Sequence, residues 1–167
     1  MEEVKKAKEV VENEVVNEDD VVLNEDNEEV RSLYTVIPDV TVTRKTTNKG
    51  GKKYSDYFFN CTLRGVAMQV RVRPGKTEDR FADVSAYALL DMVFGQNDTV
   101  DFAVRITKRR DFATGRSAST VSYYAYVRDE IEGDFAAPLR FETASDKAIV
   151  VKAVELANKK HQLGLNV

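Results

Sequence analysis

Tyr57-Phe-Phe-Asn-Cys-Thr-Leu-Arg-Gly-Val-Ala-Met-Gln-Val-Arg-Val-Arg73 alternates apolar and polar residues on both sides of a central Arg64-Gly65. Tyr57, Phe59, Cys61 and Leu63 share one parity, and Val66, Met68, Val70 and Val72 share one in the second half. A period of two predicts two half-buried strands, and the glycine predicts the tight turn between them. The second strand has one wholly apolar face, while its other face ends in Arg71 and Arg73.

Outward from this pair, Leu33–Ile37 and Val40–Thr43 are β-branched and aromatic, which predicts an extended first strand bent at Pro38. Gly50-Gly51 predicts the tip of the hairpin that follows. Asp79 to Phe94 predicts a helix capped by Thr77 or Asp79 and ended by Gly95, with Phe81, Val84, Ala88, Leu89 and Met92 packing inward. Thr99–Lys108 and Thr120–Arg128 predict two more strands, with Val100, Phe102, Val104 and Ile106 on one face of the first. An irregular acidic linker containing Gly133 and Pro138 comes next. A last helix, capped by Thr143 or Ser145, then runs to about Gln162 and packs through Ile149, Ala153 and Leu156. The expected fold is mainly β: a five-stranded barrel with one inserted helix and one C-terminal helix. The expected organisation is an acidic, largely disordered arm over 1–30 with a short helix near 2–12, a barrel over 31–130, and a linker and helix over 131–167.

The formal charge of −3 conceals an asymmetry. Residues 1–30 hold 12 acids and 3 bases, a net of −9, whereas residues 31–128 hold 17 bases and 9 acids, a net of +8. Such a division points to a polyanionic partner, or to an acidic arm that competes for the same surface. No apolar run approaches the roughly 20 residues of a membrane span, so no membrane partner is expected. Met-Glu-Glu-Val-Lys-Lys lacks a signal-peptide core, which predicts a cytoplasmic protein. The single Cys61 excludes an internal disulfide.

Catalytic chemistry finds little support. Arg73-Pro-Gly75-Lys76-Thr77 lies between a strand and a helix, as a phosphate-binding loop does, but Val70 stands where that loop needs its first glycine. One His and one Cys cannot build a His/Cys zinc site, and Glu78, Asp79 and Asp83 suit a helix N-terminus. No metal, cofactor or catalytic residue is expected. The positive residues are better placed. Arg44, Lys45, Lys49, Lys52 and Lys53 crowd the loop at 43–53; Lys108, Arg109, Arg110 and Arg116 crowd the loop at 108–116, with Phe112 among them. Phe58, Arg64, Arg71, Arg73, Arg105, Tyr124, Tyr126 and Arg128 fall on the outward parity of their strands. Aromatics interleaved with arginines suit bases that stack while guanidinium groups meet phosphates. The competing arrangement is a C-terminal helix that covers this face and buries the tyrosines.

The order of three strands, a helix and two strands, with basic loops after the first and fourth, resembles the OB-fold single-stranded-DNA-binding proteins, including those of phages and conjugative elements. The resemblance spans about residues 33–128 and is architectural. It implies binding of single-stranded DNA or RNA without sequence preference, in replication, recombination or transfer of a mobile element. It also implies partner recruitment by an acidic tail, here N-terminal, where a replication or transfer protein is one expected partner. The chain has no Trp on which to stack bases. The alternative is a protein-interaction or assembly module whose tyrosine face is the contact of a homo-oligomer.

Overall fold

A computed structural model describes residues 21–23, 27–31, 33–77, 81–111 and 113–166. The strands are β1 (Val21–Leu23), β2 (Asn27–Arg31), β3 (Thr35–Val36), β4 (Thr41–Lys49), β5 (Lys52–Leu63), β6 (Val66–Pro74), β7 (Thr99–Asp111), β8 (Arg116–Val127) and β9 (Phe135–Phe141). The helices are α1 (Ala86–Phe94) and α2 (Ala144–His161). The chain packs as two units, residues 1–35 with 104–122, and residues 36–103 with 123–167.

The strands pair in the order β7–β4–β5–β6–β9–β8, and β8 pairs back to β7. This ring is a closed six-stranded antiparallel barrel, consistent with an OB-like fold, with α1 between its third and fourth strands. The sixth strand, β9, lies in the stretch read as a linker. Its role follows from strand direction. β4 and β6 run the same way, because β5 is antiparallel to both, and β8 runs with them, because β9 is antiparallel to both β6 and β8. β9 runs against both β6 and β8 and joins them by two antiparallel ladders. Pro138 is tolerated in this central strand. Its carbonyl accepts the Gly75 amide at 2.7 Å, beyond the Pro74–Leu139 pair, so its ring nitrogen points off the end of β6 and no donor is missing from the β8 ladder. A Cβ on Gly75 would lie 3.3 Å from Pro138, which explains the glycine. Its amide is therefore engaged within the fold, not turned toward a phosphate.

Val42, Phe59, Val70, Val72, Phe102, Ala125 and Leu139 fill the core of the second unit. The rings of Phe59 and Phe102 meet edge to face at 4.7 Å, an arrangement worth about 1 kcal/mol beyond burial. Both helices differ in phase from the sequence reading. Ser85, not Thr77, caps α1 by accepting the Ala88 amide, and Asp79 lies outside the described residues. Leu89, Leu90, Val93 and Phe94 face inward, while Ala88 and Met92 are exposed. In α2, capped by Thr143, the buried set is Val150, Ala153, Val154 and Ala157, and Leu156 is exposed. The α2 set keeps the i, i+3, i+4, i+7 spacing and the α1 set the i, i+1, i+4, i+5 spacing, each a single helical face rotated from the expected one.

The arm also differs. Residues 21–23 and 27–30, expected to be disordered, form with Arg31 the antiparallel pair β1–β2, with Val21 opposite Val30, and β2 adds to the edge of β7. β-branched residues and an available strand edge supply the order that composition alone did not indicate. The helix expected near 2–12 lies outside the described residues.

The end of α2 is tied down at Asp39, a left-handed residue (φ 70°) whose carboxylate accepts from His161 Nε2 at 2.7 Å and lies 3.6 Å from Lys160 Nζ. The His161 hydrogen bond, aided by Lys160, holds the Asp39 carboxyl below its ordinary value. A depressed carboxyl contributes stability above its unfolded pKa and loses it as pH falls through the folded one. Asn tolerates the left-handed backbone, so Asp39→Asn removes the charge without strain. Urea midpoints should be lower for Asp39→Asn than for wild type at pH 5–7, and the gap should close below about pH 4. A gap that is constant down to pH 2 would contradict the assignment.

Candidate nucleic-acid interface

The first basic segment is a ribbon, not a loop. β4 and β5 stay paired from Thr41–Asn60 out to Lys49–Lys52, and Gly50-Gly51 closes the end. Both glycines have positive φ (60° and 81°), as a two-residue type I′ turn requires. Lys45, Lys49, Lys52 and Lys53 are all exposed along it. Strand parity and register place Lys45, Lys49, Lys52, Tyr54, Asp56, Phe58, Arg71, Arg73 and Arg140 on one outward face. On that face two like-charged pairs stand directly opposite each other, Lys49 with Lys52 and Arg73 with Arg140. Such pairs destabilise a ladder, and the second is offset within the fold by Glu142, which accepts from Arg73, and by the Pro74 carbonyl, which accepts from Arg140 Nε at 3.2 Å. Arg140 was missed in the sequence because Pro138 marked its segment as linker; the alternation Ala137, Leu139 against Pro138, Arg140 was the available signal.

Beside this face, where β6 ends and α1 begins, lies a groove of about 440 Å³. Lys53, Tyr54, Asp56, Arg71 and Arg73 line it from the strands, and Tyr87 and Asp91 from the helix. Tyr54 and Tyr87 are 53% and 56% exposed. Tyr57 forms part of the wall, and burial, with Asp91 nearby, pushes its hydroxyl above the ordinary value. Arg71 donates to Asp56 at 2.5 Å, and Arg73 to Glu142 at 2.5 Å. These ion pairs are part-exposed and contribute little, so a phosphate can displace the carboxylates at small cost. Tyr54 and Tyr87 were not among the aromatics expected to stack. Tyr87 becomes visible once Ser85 is taken as the cap, because Tyr87 and Asp91 then share the face opposite Leu89 and Val93.

Other expected site residues lie elsewhere. Tyr124 and Tyr126, expected to face outward, are only 1% and 5% exposed, and the Tyr126 hydroxyl donates to Asp134. Arg105 is buried, with its guanidinium over the Tyr34 ring at 4.5 Å and Nη1 donating to the Tyr34 hydroxyl at 3.1 Å. The cause is shared: β7 and β8 are buried on both faces along 102–106 and 123–126, so parity there does not separate core from solvent. Phe58 is half-buried in the outward row between Thr43 and Arg71. Arg64 is exposed in the left-handed first position of the β5–β6 turn, at the opposite end of β5 from the lysines. Arg128 is exposed just past β8. In the other unit, Arg109 and Arg116 are exposed, Lys108 and Arg110 half-buried, and Phe112 lies outside the described residues.

Arg44 has a structural task. Its Nη2 donates to the carbonyls of Gly95 (3.1 Å) and Asn97 (2.9 Å), and its guanidinium lies 5.0 Å from the Phe94 ring centre. α1 carries no basic residue in its last turn, so β4 supplies the cation that its C-terminus favours. Cys61 is buried, which pushes its thiol pKa up. Among the described residues no cluster of His, Cys, Asp or Glu is placed to hold a metal, and no helix is long and apolar enough to cross a membrane.

The chain matches no protein-family model, and neither a curated protein nor a solved structure matches it.

Replacing Arg44 with Ala removes two charge-assisted hydrogen bonds and a ring contact. It should destabilise the fold by roughly 2 kcal/mol, read from urea denaturation at unchanged slope. A loss within experimental error would mean that water serves the α1 terminus equally well.

Proposed function

We propose that the protein binds single-stranded nucleic acid, preferentially DNA and without sequence preference, along the outward face of β4–β5–β6–β9 and the adjoining groove. The observation that carries this reading is the paired like charges, Lys49–Lys52 and Arg73–Arg140, flanking exposed Tyr54 and Tyr87. Lysines and arginines at strand spacing, roughly 7 Å between same-face neighbours, suit the repeat of a phosphate backbone. Tyr54 and Tyr87 offer π-faces to bases, a contact that tolerates any sequence. The OB-like barrel supports the same reading, since its second and third strands and the loop between the first two are where such a fold binds oligonucleotides. The stacking role passes from Tyr124 and Tyr126, which are buried, to Tyr54 and Tyr87.

A fluorescein-labelled oligo-dT of about 30 nucleotides should bind with log K falling linearly in log salt, at a slope near −0.7 per phosphate neutralised. Tyr54→Ala and Tyr87→Ala should each weaken binding by about tenfold, corresponding to about 1–3 kcal/mol per stacked base. Absence of binding at low salt would remove the proposal. Loss of an oligomer in the tyrosine variants, with no change in affinity, would favour the assembly-module reading instead.

The like-charged ribbon tip gives a second, independent test. Lys49→Gln with Lys52→Gln should weaken oligonucleotide binding and at the same time raise the thermal midpoint of the free protein, by about 1–3 °C, as the repulsion is relieved. A lowered midpoint would show that the lysines serve the fold.

A further inference from the structure

The groove beside α1 holds a carboxylate that a site for phosphates alone would not carry. Tyr87 and Asp91 stand one turn apart on α1, and both line the groove. Residues at this spacing have Cβ atoms about 5–6 Å apart. The Asp91 side chain is 71% exposed, and Arg44 Nη1 lies 3.7 Å from it, beyond hydrogen-bonding distance. Arg44 gives its Nη2 donors to the Gly95 and Asn97 carbonyls instead. The other acid of the groove, Asp56, is engaged by Arg71. Glu142 and, to a smaller degree, Tyr87 raise the Arg73 pKa above its ordinary value, which sets Tyr87 beside that guanidinium. The groove thus offers a cation, an exposed ring and a carboxylate together: Arg73, Tyr87 and Asp91.

A carboxylate only accepts hydrogen bonds, so it sorts bases by the donors on their pairing edges, which a single strand leaves open. Guanine alone presents two adjacent donors there, N1–H and the N2 amine, and can meet both carboxylate oxygens at once. Adenine and cytosine each set an amine beside an acceptor nitrogen, and thymine flanks its one N–H with two carbonyls. We propose that Asp91 makes the groove a guanine subsite: a base stacked on Tyr87 turns its pairing edge to the Asp91 carboxylate while Arg73 meets the adjoining phosphate. This rests on the single-strand-binding reading and adds to it a preference at one base position. The phosphate contacts along the β4–β5 ribbon stay indifferent to sequence.

The test uses the full chain and labelled oligonucleotides of about 15 nucleotides, near the upper site size of such a fold. They carry TTG, TTA or TTI repeats, where I is hypoxanthine, and are compared with oligo-dT in a low-salt lithium buffer that does not support quadruplexes. Wild type should bind the guanine repeat about tenfold more tightly than the adenine repeat, as a bidentate contact to one base allows. The hypoxanthine repeat keeps N1–H and lacks the amine, so it should fall between them. Asp91→Asn should weaken binding of the guanine repeat, tighten binding of oligo-dT and bring the guanine-to-adenine ratio near one. Equal affinities for the guanine and adenine repeats in wild type, with oligo-dT bound normally, would overturn the subsite and leave the binding reading intact. Equal affinities for guanine and hypoxanthine would overturn the two-donor contact. A guanine preference that persists in Asp91→Asn, or weakening of every oligonucleotide by the same factor, would overturn the role of Asp91. Failure of wild type to bind any of them would overturn the subsite together with the reading on which it rests.

Discussion

The direction of the strands is the constraint on which the rest depends. A meander of three strands followed by a helix and a hairpin leaves β6 and β8 pointing the same way, and β9 converts that gap into two antiparallel ladders. Its insertion has local requirements that the sequence meets. Gly75 admits the approach of Pro138, and Pro138 sits where its missing donor faces no partner. It also brings Arg140 opposite Arg73, so the strand that closes the barrel contributes a cation to the outward face.

Much of this was legible, and the failures have physical causes. β5 and β6 were readable because one face of each is wetter than the other: Tyr57, Phe59 and Cys61 are buried and Phe58, Asn60 and Thr62 are not. The same rule failed for Tyr124, Tyr126 and Arg105, in strands covered on both faces. β9 was hidden by Pro138, whose cost depends on which neighbour its nitrogen faces, a property of tertiary pairing. In α1 the acids at 78–83 drew the expected start too early, and Tyr87 was missed as a result. The alternation of Lys and Thr in β4 was visible as sequence, but its continuation as a ribbon to Lys49 was not, because Gly50-Gly51 fixes the end of a hairpin without fixing how far pairing extends.

Charge is distributed between two kinds of work. Arg44 and Arg105 are spent inside the fold, one closing a helix terminus and the other stacked on Tyr34. Arg71 and Arg73 are held by carboxylates at the surface, so the groove is pre-shaped although its net charge is small. Counting bases along the chain therefore overstates the cations available to a partner, and burial and pairing decide which remain.

The β4–β5–β6 meander consists of contacts between near neighbours in sequence, whereas β9 reaches β6 across 69 residues, from Val72 to Phe141. Loop-closure entropy favours the near contacts first, so the meander is the natural nucleus and the β6–β9 ladder a late event. Until Phe141 has been synthesised, the end of β6 from Val72 to Pro74 presents an open strand edge. A nascent or truncated chain ending before β9 thus exposes a template for pairing with other chains, and the seven residues that complete the barrel also guard it against aggregation.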